Sequence, residues 1–98
     1  MNKQQAQTAL NQLSPTLTPM IGAHTFLLHE KENAVSFKFK AGTKYNHCKI
    51  VLNSLDLYDM TISKIHGGRV VRSETFNGYY NDMLTSAFEK TTGLYLSL

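Results

Sequence analysis

His47 and Cys48 stand side by side, and a thiolate raised by a neighbouring imidazole is a nucleophile. Adjacent residues of a strand point to opposite faces, however, so this pair does not meet. Cys48 falls on the same side as Ile50 and Leu52 and reads as a buried, inert thiol. Asp56 and Asp59 flank Tyr58, and paired carboxylates do general acid–base work when a cleft shifts their pKa values. Nothing in the surrounding sequence suggests a cleft. Asp56 reads instead as the cap of a bend, and Asp59 as the partner of a lysine or of another molecule. The histidines are His24, His29, His47 and His66. His24 and His29 are five apart, which puts them on opposite faces of a regular strand, and a metal needs several ligands converging. Gly67-Gly68, between His66 and Arg69, offers backbone N–H groups to an anion. With no helix start after it, the pair reads as a hairpin turn. The expectation is therefore a protein with no catalytic residue, no metal site and no cofactor, one that is not an enzyme.

The cations carry more information. In Ala34-Val35-Ser36-Phe37-Lys38-Phe39-Lys40, apolar and polar residues alternate strictly, the signature of a strand with one buried and one wet face. Lys38 and Lys40 then point outward together. Eight of the ten Lys and Arg residues lie between Lys31 and Arg72, opposed there by Glu32, Asp56 and Asp59 alone, in a chain of net charge +3. The middle of the chain is basic, and such a surface attracts polyanions, nucleic acid and acidic proteins alike. Lys38, Lys40, Tyr45, His47, Lys49 and Arg72 are the candidate partner- or nucleic-acid-binding set, cations for phosphates or carboxylates and rings for stacking. Phe37 and Phe39 face away from the lysines, and no aromatic motif of the usual RNA-binding kind is present.

The elements that must position these residues follow from periodicity. Ninety-eight residues, 42% hydrophobic and 17% charged, make one globular domain. Ala6, Ala9, Leu10 and Leu13 mark a helix over 3–13, stopped by Ser14-Pro15, with a connection running to Gly22. Strands are expected over 24–30, 34–40, 46–53, 57–65 and 69–76, the first two joined through Lys31-Glu32-Asn33. Asn77 is expected to cap a last helix striped by Tyr80, Met83, Leu84, Ala87 and Phe88, with Gly93 as its terminator. Leu94-Tyr95-Leu96 would tuck back against the sheet. The fold class is α+β: an antiparallel meander of about five strands, with an N-terminal and a C-terminal helix on one face. The single domain, 1–98, divides into helix and connection (1–20), sheet (21–76), and helix and tail (77–98). A lone cysteine, a polar N-terminus and the lack of any long apolar run point to the cytoplasm of a host cell and away from membranes. An exposed edge strand leaves both monomer and homodimer open.

The run from Lys44 to Met60, KYNHCKIVLNSLDLYDM, resembles a segment of small uncharacterised proteins of phages, prophages and conjugative elements, where Y-V-K-I-T-L-N-S-M-D-L-Y-D stands. Lys64-Ile65-His66-Gly67, Gly78-Tyr79-Tyr80-Asn81-Asp82-Met83-Leu84 and Phe88-Glu89-Lys90-Thr91-Thr92-Gly93-Leu94-Tyr95 extend the likeness over residues 21–98. It departs at His47-Cys48 and at His66. No activity attaches to that family, so no functional residue carries over. The resemblance implies a mobile-element setting, in which small proteins often act by binding host machinery. Inhibitors of host defence, anti-CRISPR proteins among them, form one such class. The expectation is an accessory protein that binds and inhibits a host protein or ribonucleoprotein, a CRISPR effector being one candidate. The alternative is a nucleic-acid-binding protein that uses the basic sheet face.

Overall fold

A computed structural model describes residues 1–42 and 44–96. Helix α1 spans Lys3–Leu13. A capping box opens it: the Asn2 side chain accepts from Gln5 N–H at 2.8 Å, and the Gln5 side chain accepts from Asn2 N–H at 3.0 Å. Its buried residues are the expected Ala6, Ala9, Leu10 and Leu13. The connection beyond it holds a short helix, α2, Leu17–Ile21. Pro19 is tolerated there because the first turn of a helix has no partner for its N–H groups. Gly22 ends α2 in the left-handed conformation.

Five strands follow: β1 His24–His29, β2 Ala34–Lys38, β3 His47–Leu52, β4 Tyr58–His66 and β5 Arg69–Tyr79. They pair antiparallel in the order β1-β2-β3-β4-β5, so chain order and spatial order coincide. Helix α3, Asn81–Thr92, closes the fold, with Gly93 left-handed at its end. One face of the sheet carries Val35, Phe37, Phe39, Cys48, Ile50, Met60 and Ile62, all buried beneath α1 and α3. An aromatic row runs through this layer: Phe26 to Phe37, Phe37 to Phe39 and Phe39 to Phe88, with centroids 5.7, 6.2 and 5.4 Å apart. Leu96 does tuck in, fully buried, while Tyr95 stays exposed. The Leu96 carbonyl accepts from the hydroxyls of Ser14 (2.8 Å) and Thr16 (2.6 Å), which fastens the tail to the end of α1.

Two expectations are corrected at the β5–α3 junction. Strand β5 runs to Tyr79 rather than stopping at 76, and Tyr80, not Asn77, is the N-cap of α3, without a side-chain cap bond. Tyr79 pairs with Tyr58 beyond a register shift between Tyr58 and Met60. Gly78 takes a positive φ of 70° there, and its N–H is bound by the Asp59 carboxylate at 2.8 Å. Asp59 is thus held by Gly78 and by Asn53 Nδ2 (3.1 Å) rather than by a lysine. The bend at 53–57 is capped by Asn53, whose Oδ1 accepts from the N–H groups of Leu55 and Leu57. Asp56 sits in that bend with a left-handed backbone.

Candidate functional site

With both helices on one face, the other face is open. Cross-strand partners in an antiparallel sheet point to the same side, so the register reads out its contents. One row crosses β1 to β5 as Leu27, Ser36, Lys49, Thr61 and Thr75. The next is His24, Lys38, His47, Ser63 and Ser73. A third holds His29, Ala34, Val51 and Asp59. The face has a floor of small hydroxyl residues with long cationic and imidazole side chains standing over its β1–β3 half. Ser36 is only 1% exposed although its face carries no helix, because its neighbours close over it. Its Oγ lies 2.7 Å from His29 Nε2. Thr61 and Thr75 hydroxyls are 3.3 Å apart on the β4–β5 half.

The electrostatics are one-sided. Lys49 is paired with Glu32, the one ion pair among the described residues. That contact also holds the Glu32 carboxyl below the usual carboxylate range. Lys38 is exposed with no carboxylate partner, and Lys40, one alternation further on and past the end of β2, is likewise exposed and unpaired. His47 has its pKa lowered first by burial, then by the charges of Lys38, His29 and Lys49.

Three of the six sequence-proposed residues therefore lie together, Lys38, His47 and Lys49, and Lys40 follows just past the end of β2 with its stem against Gly22. The other two do not. Tyr45 is 4% exposed and belongs to the core, so its ring is no stacking platform. Arg72 pairs with Lys64, one step out of phase with the Ser63–Ser73 row, and so projects to the helix side. There its guanidinium lies 5.9 Å from the Tyr45 ring centroid and donates to the Lys44 carbonyl at 3.3 Å. Conversely, the periodicity argument missed His24 and His29. A bulge at Thr25, whose φ is 54°, shifts the register between His24 and Leu27. The pairing then sets His24 across from Lys38 and His29 across from Ala34, on one face rather than two. A short strand with three apolar residues in a row, Phe26-Leu27-Leu28, was the available signal.

No protein-family model, no curated protein and no solved structure matches this chain. The open face must therefore be read from its own chemistry. Cys48 is fully buried on the helix side, where burial pushes its thiol pKa well up, and His47 is across the sheet from it. The described residues contain no group of three or more His, Cys, Asp or Glu able to hold a metal ion. Among them, too, no helix is long and apolar enough to cross a membrane. What the face can offer is a shallow, hydroxyl-floored, cationic contact surface.

Proposed function

We propose that this protein acts by binding, as a mobile-element accessory protein that docks its open sheet face on an acidic surface of a host protein or ribonucleoprotein and thereby inhibits it. The observation that carries the reading is the pair Lys38 and Lys40, exposed and without a carboxylate partner among the described residues, at the edge of a face that also carries His24, His29, His47 and Lys49. Desolvated opposite charges across an interface set both encounter rate and specificity. The floor of Thr61, Ser63, Ser73 and Thr75 leaves the face free of large protruding side chains over its β4–β5 half, as a flat partner surface requires. An inhibitor of a host nuclease, a CRISPR effector included, needs no chemistry beyond such a surface.

An acidic protein surface is favoured over nucleic acid because the aromatic residues nearest the lysines, Phe37, Phe39 and Tyr45, are all buried. Single-stranded nucleic acid is gripped mainly by exposed rings on which bases stack. The test is a pull-down of tagged protein from host lysate, with and without nuclease, at low and high salt, read by mass spectrometry. A stoichiometric protein that survives nuclease, and is lost with the Lys38→Glu/Lys40→Glu double variant, is the expected result. Recovery of nucleic acid alone, lost steeply as salt rises, would replace this reading with the nucleic-acid one. A protein partner retained by the double variant would remove the basic face from the account.

A further inference from the structure

The two outer edges of the sheet are not equivalent. Strand β5 carries Arg69, Arg72 and Glu74 along its length, whereas the backbone irregularity at Thr25 in β1 leaves Leu27, Leu28 and His29 in regular pairing. Charge is an ordinary means by which an edge strand is kept from pairing with another chain. Strand β1 has no charged carboxylate, lysine or arginine between His24 and His29. It exposes three consecutive apolar residues, Phe26 (45%), Leu27 (51%) and Leu28 (38%). These do not belong to one face. Phe26 stacks on Phe37 and Leu28 pairs with Val35 on the helix side, whereas Leu27 pairs with Ser36 on the open side. Exposure on both sides of the strand at once means that the bare surface is the edge itself. The helix layer stops short of it. A groove of about 590 Å³ lies between β1 and the flank of α1 and α2, lined by Ala6, Leu10 and Leu17 opposite Phe26 and Leu28.

We infer that β1 pairs antiparallel with β1 of a second copy of this chain, making a two-fold dimer with one continuous ten-stranded sheet. The occupant is a second copy because the strand is its own complement. Antiparallel pairing centred on Leu27 sets Leu27 against Leu27 and Phe26 against Leu28, apolar against apolar on both faces. The same pairing brings the His24 end of each strand, beside Lys38, to the Glu30 end of the other, close to Glu32. A foreign strand would have to supply this pattern; the chain already has it. The two-fold places both grooves side by side across the seam, so that the Phe26 and Leu28 side chains of each copy are covered by those of the other. The inference does not depend on the partner proposed for the open face.

Sedimentation or light scattering on the intact protein, from micromolar to millimolar concentration, tests it. The mass is expected to double with concentration. Leu27→Lys sets like charges across the two-fold and is expected to raise the dimer dissociation constant at least about tenfold, with the circular dichroism spectrum unchanged. Val71→Lys, exposed on the opposite edge, is expected to dimerise like the parent. As a register test, Leu27→Cys is expected to oxidise to a covalent dimer, and Val71→Cys is not. A parent that stays monomeric to millimolar concentration would overturn the inference. So would a dimer indifferent to Leu27→Lys or abolished by Val71→Lys.

Discussion

His47 occupies the most strongly positive part of the open face, half-buried among Lys38, His29 and Lys49, with Glu32 committed to Lys49. Burial and those three neighbours all oppose a proton on its ring, so its folded pKa lies below its unfolded value. The sign of the linkage follows. Below about pH 6.5 the unfolded chain binds a proton at His47 that the folded chain still resists, so stability falls as the pH drops through that window and levels off beneath the folded pKa. His47→Gln should flatten this part of the stability–pH curve, measured by urea denaturation at a series of pH values from neutral down. A variant whose stability falls as steeply as the parent's would show that the charges around His47 do not act on it. The same crowding bears on partner binding: a carboxylate from another protein seated at Lys38 would raise the His47 pKa, so docking should take up protons at mildly acid pH.

At the scale of elements, the junction of β4, β5 and the 53–57 bend turns on one carboxylate. Asp59 holds Gly78 N–H and Asn53 Nδ2, and Asn53 in turn caps the bend. Asp59→Ala leaves a partly buried N–H unpaired and should cost about 1–3 kcal/mol in chemical denaturation. Asp59→Asn should recover part of that loss by keeping an acceptor. This junction also shows where sequence periodicity stops being informative. Alternation located all five strands and the 3.6-residue period located α1 and α3, because in each the buried side is continuous. Asn77-Gly78 looks like a helix cap and turn in isolation; the long-range bond from Gly78 N–H to Asp59 and the pairing of Tyr79 with Tyr58 hold it in the sheet. Helix α2 is too short for any period to declare itself. For the open face, Lys38, His47 and Lys49 were legible because β2 and β3 are regular. The side of β1 and β5 residues was not, since the Thr25 bulge and the shift between Lys64 and Ile65 each reverse the phase. Tyr45 lies outside any strand, where alternation says nothing of direction.

At the scale of the molecule, the sheet is a plate with a greasy side and a wet side, and the two sides are joined through single residues of the same strands. Phe88 is where α3, the sheet and the aromatic row meet, fully buried and edge-on to Phe39. Phe88→Ala should destabilise the fold by about 3–5 kcal/mol, a large fraction of what a domain of this size possesses. Measured by thermal or urea unfolding, that loss should come without any local effect on the open face at temperatures where the variant remains folded. A variant that kept its stability but lost partner binding would instead mean that α3, not the sheet, is in contact with the partner.

The meander has a kinetic consequence. Every strand pairs with its immediate predecessor, so each step of assembly closes a short loop and the entropy lost at each is small. A chain so arranged can zip hairpin by hairpin, in either direction, without waiting for distant segments to find one another. The clasp of Ser14 and Thr16 on the Leu96 carbonyl is different in kind, since it links positions 82 and 80 residues apart. It has nothing to hold until the sheet has brought those segments within reach, so it works as a latch on a finished structure: it slows opening and leaves the speed of closing almost untouched.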